Sequence, residues 1–206
     1  TMRRRGRALG RILVALLVVG GVLWATDPPD QVGGPIAFDP ASLPADLPAW
    51  LAAREAAVPD LRAGEEKRIV WAGQAGVKTP LAVVYLHGFS ASSEEIRPVP
   101  DQVARALEAN LFFTRLAGHG RNGAAMAEPT AQDWIEDSAE ALAIGQRLGD
   151  RVLVIATSTG GTLAAMAARD GRLNGGLAGV VLISPNFGLR PWVGKILDLP
   201  WAEVWG

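Results

Sequence analysis

Hydrophobic positions between residues 48 and 183 alternate between short apolar runs, typical of strands buried on both faces, and amphipathic stretches, typical of helices. The apolar runs are residues 68–72, 81–86, 111–115, 152–156 and 179–183. The amphipathic stretches are residues 48–57, 100–109, 132–148 and 159–169. This alternation predicts a doubly wound α/β domain with a mostly parallel sheet.

The N-terminus combines a basic cluster with an uncharged apolar run. Five arginines occur among residues 3–11, and residues 12–25 are rich in Leu and Val. This order is typical of a signal peptide or signal anchor, and Leu23 at the −3 position of a cleavage site favours an uncleaved transmembrane anchor. About 14 helical residues span roughly 21 Å, which is short for a bilayer core of ~30 Å. The arginines predict a membrane-anchored protein with its domain on the extracytoplasmic side, or a secreted protein if the segment is cleaved.

Composition shifts divide the chain into four predicted segments. Residues 1–25 form the signal or anchor helix, or a buried amphipathic helix as the alternative. Residues 26–66 form a tether with one short helix, because their first half is rich in proline and has no periodicity. Residues 67–186 form the α/β core, which we expect to be incomplete, and residues 187–206 begin a cap or lid segment that is rich in Trp.

Charge and cysteine content exclude several classes of function. The net charge of −1 gives no field that would attract nucleic acid. The chain has no cysteine, which excludes thiolate catalysis, a cysteine-based zinc site and disulfides. No metal and no organic cofactor is implied by any motif.

The first candidate site is the junction of an apolar strand and an Ala-rich helix at Ser158. Ala156 and Gly160, two positions to either side, are small enough for strand and helix to approach closely, and Gly161 follows. This arrangement predicts a nucleophile elbow with Ser158 exposed at a strained turn, beside a helix N-terminus that favours a developing anion. The alternatives are an ordinary serine N-cap or a phosphate-binding turn.

Two earlier loops carry the remaining candidates. His87-Gly88-Phe89 ends the strongest predicted strand, where an oxyanion-hole loop is expected. We expect the backbone N–H groups of Phe89 and Thr159 to form the oxyanion hole, with His87 bracing the loop rather than acting as a base. 

Gly118 and His119 follow the next strand. We expect His119 to organise its loop, with a catalytic role as the alternative. Trp134 and Asp137 are interpreted as a core contact and a helix-surface carboxylate.

These motifs, in this order, resemble the α/β-hydrolase superfamily, and within it the carboxylesterase, monoacylglycerol-lipase and serine-aminopeptidase-like group. The resemblance covers residues 67–185. It implies Ser158 as the nucleophile, with the N–H groups of Phe89 and Thr159 around the oxyanion. Ala156 departs from the family pattern, which has glycine at this position.

The acid and the histidine that follow the serine in this family have no counterpart here. No histidine follows Ser158, and Asn186 stands where some members carry an acid. We expect the chain to be a fragment that is inactive alone, or else a natural pseudoenzyme. The complete protein is expected to be a serine hydrolase of small-molecule acyl esters or lipids. A peptidase or amidase, and a non-catalytic binding protein, remain the alternatives.

Overall fold

The computed structural model describes residues 2–26, 34–171 and 173–188, with the side chains of residues 2–9 excepted. The described residues belong to two compact units. The first contains helix α1 (Met2–Thr26). The second contains the sheet and all other described helices, from residue 34 to residue 187.

Helix α1 coincides with the predicted signal or anchor segment. In the parts of the chain that the structure describes, no helix is both long and apolar enough to cross a membrane. The expected transmembrane anchor, and the membrane contact through it, are therefore not supported. The uncharged run that follows Arg11 reaches only residue 26, which corresponds to about 22 Å of helix against a bilayer core of ~30 Å.

The second unit is built on a five-stranded sheet with the order β1-β3-β2-β4-β5. The strands are β1 (Arg68–Val70), β2 (Thr79–Leu86), β3 (Asn110–Phe113), β4 (Gly149–Thr157) and β5 (Leu177–Ile183). Strands β2 to β5 run parallel, and β1 pairs with β3 in the antiparallel direction. The predicted mostly parallel sheet is confirmed.

Helices pack on both faces of this sheet. They are α2 (Leu47–Ala56), α3 (Val99–Ala106), α4 (Ala131–Leu148) and α5 (Ser158–Ala167). One hydrophobic cluster joins alternate residues of β2 and β4 to α2, α4 and α5. A second cluster joins the opposite faces of the same strands to α3. Every residue of β2 from Ala82 to Leu86 is therefore fully buried, as expected for a central strand of a doubly wound sheet.

Residues 34–48 differ from an extended tether. Leu43 and Leu47 are buried in the cluster that contains α4. The backbone N–H groups of Ala37 and Phe38 donate to the carboxylate of Glu136 on α4, at 2.8 and 2.7 Å. The prolines leave room here for one short 3-10 turn, Pro40–Ser42, and for the start of α2 at Leu47. The apolar residues of the segment nevertheless have surface to bury.

Candidate active site

Ser158 lies at the sharp turn between β4 and α5. It is the first residue of the helix, and its φ is +48°, in the left-handed region that non-glycine residues seldom adopt. Such strain persists only where the surrounding structure holds it. Two features hold it here. The end of β4 directly before the serine is buried, and the carbonyl oxygen of Ser158 accepts a hydrogen bond from the N–H of Asn186 at 3.1 Å.

Small residues around Ser158 allow α5 to pack directly on the end of β2. A β-carbon at Gly160 would lie 2.4 Å from the carbonyl oxygen of His87, so only glycine fits there. Gly161 faces Pro185, whose Cβ would lie 3.0 Å from an added β-carbon. Ala156 is completely buried at the end of β4. The elbow residues singled out from the sequence therefore lie together at the carboxyl end of the sheet.

The loop after β2 passes beside the serine. A β-carbon added at Gly88 would be 3.3 Å from Cβ of Ser158. Nδ1 of His87 donates to the carbonyl oxygen of Gly88 at 2.8 Å. The Gly88–Phe89 peptide is trans, so its N–H points away from its carbonyl and hence away from the His87 ring. The N–H of Phe89 thus faces the opposite side from the buried histidine. Thr159 follows Ser158 in the first turn of α5.

Both histidines have their ring nitrogens engaged by the backbone. Nε2 of His87 accepts from the N–H of Leu116 at 3.1 Å, and Nε2 of His119 accepts from the N–H of Ser90 at the same distance. Nδ1 of His119 donates to the carbonyl of Ala117 at 3.0 Å. Burial lowers the pKa of His87 to about 4, and burial also lowers the pKa of His119. Each ring is therefore a neutral brace between loops.

Aromatic rings lie together beside the loop that follows β2. The ring of Phe89 is 55% exposed and meets Trp134 and His119 edge-to-face, with centroid distances of 5.8 and 6.1 Å. The Trp134 indole N–H donates to the carbonyl of Ala117 at 3.0 Å. The exposed part of Phe89 is therefore an apolar surface on the loop that passes beside Ser158.

A buried charge cluster supports the loop that carries His119. Asp137 accepts from the N–H of Ala117 at 2.7 Å and from Nζ of Lys67 at 2.8 Å. Lys67 also donates to Glu140 at 2.6 Å. Burial alone would lower the pKa of Lys67, but the charges of Asp137 and Glu140 outweigh it and raise that pKa. Asp137, interpreted from the sequence as a surface carboxylate, is thus part of the loop's support.

Gly118 allows this loop to turn. Its φ is +77°, and a β-carbon there would lie 2.6 Å from the carbonyl oxygen of Ala125. Any other residue would be strained and would also clash with backbone.

Glu95 and Tyr85 were missed by sequence reasoning. Oε2 of Glu95 accepts from the N–H of Gly88 at 2.9 Å and from the hydroxyl of Tyr85 at 2.8 Å. Glu95 lies in an aperiodic turn, where no pattern indicates its direction. Tyr85 did carry a signal, since it is the chain's only tyrosine and lies in an apolar strand.

The described residues contain the serine and both loops but no acid–histidine pair beside them. Among residues 10–26, 34–171 and 173–188, no group of three or more His, Asp or Glu side chains could hold a metal ion. Most of the predicted cap segment, including Asp198 and the three tryptophans near the C-terminus, lies outside the described residues.

Two known proteins are similar to part of this chain. A thermostable monoacylglycerol lipase from Bacillus sp. (strain H-257) is 30% identical over 84 residues, which are 41% of this chain and 33% of the lipase. A solved structure from work on the metagenome-derived lipolytic enzymes LipS and LipT is 27% identical, with a TM-score of 0.56. The match covers 68% of this chain and 54% of the solved one. The chain therefore spans about a third to about half of the length of these relatives.

The family itself is shown by a longer match. The model of the alpha/beta hydrolase family matches residues 83–206, which include the loop after β2, the His119 loop and the Ser158 turn. The chain belongs to the alpha/beta hydrolase family.

Proposed function

We propose that this chain supplies the nucleophile and the oxyanion hole of a serine hydrolase that acts on carboxylic esters. The observation that carries the proposal is the left-handed φ of Ser158 at a strand-to-helix turn that lies directly against Gly88. A serine in an ordinary N-cap has an extended backbone instead. The positive φ turns the side chain out of the sheet edge, where a substrate can reach it.

The chemistry follows from the groups around the serine. Oγ of Ser158 attacks the ester carbonyl carbon, and the carbonyl oxygen becomes an oxyanion. The N–H groups of Phe89 and Thr159 donate to that oxygen, and the N-terminus of α5 adds a favourable partial charge. Each donor is worth about 10²–10³ in rate. The oxyanion then collapses and breaks the ester C–O bond, so that the alcohol leaves with the proton taken from Ser158. Water attacks the acyl-serine and releases the carboxylic acid and the free serine.

The base that deprotonates Ser158 has to be a different residue from the chain's two histidines, since both are held by backbone hydrogen bonds. Loss of a triad histidine costs on the order of 10⁶ in kcat, so the 206-residue chain alone should be nearly inactive.

The substrate class rests on two supports. The relatives at 30% and 27% identity are described as a monoacylglycerol lipase and as lipolytic enzymes. The exposed ring of Phe89, packed on Trp134, offers an apolar surface to an acyl chain beside the proposed oxyanion hole. Together they favour acyl esters, including lipids.

A fluorophosphonate probe on the full-length protein tests the nucleophile. Wild type should be labelled and Ser158→Ala should not. Ser184→Ala is the matched control, because Ser184 also has a left-handed φ, +46°, directly after a strand. Its label should equal that of wild type. Equal labelling of Ser158→Ala would remove Ser158 from its role.

A panel of short and long acyl esters against matched amides then tests the reaction. Faster hydrolysis of the esters supports the proposal, whereas faster hydrolysis of the amides would indicate a peptidase or amidase. Labelling of Ser158 without turnover of either set would indicate a non-catalytic binding protein.

A further inference from the structure

A single carboxylate oxygen of Glu95 joins two parts of the candidate site. Oε2 accepts the backbone N–H of Gly88 at 2.9 Å and the hydroxyl of Tyr85 at 2.8 Å. Gly88 belongs to the oxyanion loop, whereas Tyr85 is the fully buried residue near the end of β2. Glu95 itself is exposed at the surface, so its side chain reaches inward from the turn that precedes α3.

The Tyr85 hydroxyl extends this connection to the residue before the serine. It lies 3.2 Å from Oγ1 of Thr157. An ionised carboxylate only accepts, so Tyr85 donates its one proton to Glu95 and receives the proton of Thr157. Burial raises the pKa of Tyr85, so the phenol stays protonated and remains a donor. The hydrogen bonds therefore run in one direction, from Thr157 through Tyr85 to Glu95.

Gly88 is held from both of its sides. Glu95 binds its N–H, and His87 donates to its carbonyl oxygen at 2.8 Å. The orientation of the following peptide, which carries the Phe89 N–H, is set by these two bonds. Moreover, Oε1 of Glu95 and Cβ of Ser158 would lie 2.9 and 3.3 Å from a β-carbon added at Gly88, so carboxylate, loop and serine meet at one point.

We propose that Glu95 is a positioning residue that sets the distance between the Phe89 N–H and Ser158. It acts on the loop through Gly88 and on the Ser158 turn through Tyr85 and Thr157. The inference rests on the proposed function for its catalytic meaning, while the hydrogen bonds can be tested without it. A negative charge beside a forming oxyanion is unfavourable, so the benefit of Glu95 comes from geometry rather than from charge.

This distinction gives opposite expectations for two substitutions. Glu95→Gln keeps an oxygen that accepts both hydrogen bonds but removes the charge. Glu95→Ala removes the accepting oxygen as well as the charge. The phosphonylation rate constant of Ser158 with a fluorophosphonate in the full-length protein should fall about tenfold or more in Glu95→Ala, up to the 10²–10³ of a whole oxyanion donor. Glu95→Gln should stay within about threefold of wild type, because the hydrogen bonds are retained.

Tyr85→Phe and Glu94→Ala complete the series. Tyr85→Phe keeps the ring and removes only the hydroxyl, so it should lower the rate less than Glu95→Ala, which also frees the loop. Glu94 is adjacent to Glu95, but its carboxylate pairs with Arg68 and Arg97 at the surface. Glu94→Ala should therefore leave the rate unchanged.

Amide hydrogen exchange at Gly88, followed by NMR, tests the positioning role without any catalysis. Glu95→Ala should exchange this proton at least tenfold faster than wild type, and Glu95→Gln and Glu94→Ala should not. Unchanged exchange in Glu95→Ala overturns the inference, as does an equal fall in rate for Glu95→Gln and Glu95→Ala. If wild type is not labelled at all, the proposed function fails, and the exchange of Gly88 alone then decides whether Glu95 holds the loop.

Discussion

Gly160 is the residue at which α5 comes closest to β2, and Gly160→Ala is the sharpest test of the candidate site. The added β-carbon would lie 2.4 Å from the carbonyl oxygen of His87 and 2.5 Å from that of Leu86. Both atoms belong to the backbone at the end of β2 and the start of the loop that follows it, so no side-chain rotation relieves the clash. The helix has to move away from the strand.

The size of the effect follows from these distances. Ordinary contact begins at 3.4 Å, so α5 would shift by about 1 Å from its present position. Overpacking of this kind costs about 1–3 kcal/mol, and we expect the upper half of that range because both opposing groups are backbone. Ser158 would move with its helix relative to the Phe89 N–H. A misplacement of about 1 Å can lower the rate about 10²-fold.

Urea unfolding and fluorophosphonate labelling of the full-length protein measure the two effects. Gly161→Ala is an intermediate case, because its β-carbon would meet Pro185 at 3.0 and 3.3 Å, and we expect about 1 kcal/mol. Gly123→Ala is the control, since a β-carbon there meets nothing within 4 Å. It should change the free energy of unfolding by less than about 0.5 kcal/mol.

Two results would refute this reasoning. If Gly160→Ala unfolds at the same urea concentration as Gly123→Ala, the helix and strand are not in the contact described. If Gly160→Ala is destabilised but labels at the wild-type rate, the spacing of α5 and β2 does not control the reactivity of Ser158.

Three further predictions concern stability, each measured by urea unfolding. Burial lowers the pKa of His87 from 6.5 to about 4, so the unfolded state binds more protons between these values. The free energy of unfolding should therefore reach its plateau above pH 6.5 and fall by about 3 kcal/mol as the pH drops to 4. His87→Asn should flatten this pH dependence. Lys67→Met should lower the free energy of unfolding by about 3–5 kcal/mol, because Asp137 and Glu140 of α4 lose their buried partner. Lys78→Met is the control at an exposed ion pair and should cost less than about 1 kcal/mol. Glu136→Ala should cost about 1 kcal/mol, since the part-buried N–H of Phe38 loses its acceptor, whereas the exposed N–H of Ala37 can bind water. An unchanged midpoint for any of the three would contradict the contact concerned.

The strands and helices of the α/β unit were predictable because each had a strong local pattern. Every predicted strand is present, with ends that differ by at most three residues; β4, for example, begins at Gly149 rather than at residue 152. The turn at Ser158 was also visible, since an apolar run ends directly before a small-residue helix. The antiparallel direction of β1 could not be predicted, because its pairing with β3 depends on the path of the chain after Trp71 rather than on the residues of the strand.

The features that escaped prediction depend on contacts that no local sequence pattern indicates. Lys67 precedes a strand and carries a charge, which by itself indicates exposure, yet it is buried against α4, about 70 positions away. Glu95 reaches Gly88 from a turn without periodicity. Leu43 is buried although it stands among prolines. In each case the partner, not the local sequence, determines where the side chain lies.

The two histidines show why residue type alone does not assign a catalytic role. A general base needs a ring nitrogen that is free to take the proton from Ser158. His87 and His119 each use one nitrogen as a donor to a carbonyl and the other as an acceptor from an N–H, which only the neutral ring can do. Protonation of His87 would break its bond from Leu116 and, with its pKa at about 4, would cost about 3 kcal/mol more than in water. The same hydrogen bonds that fix the two loops around Ser158 therefore prevent these histidines from activating it.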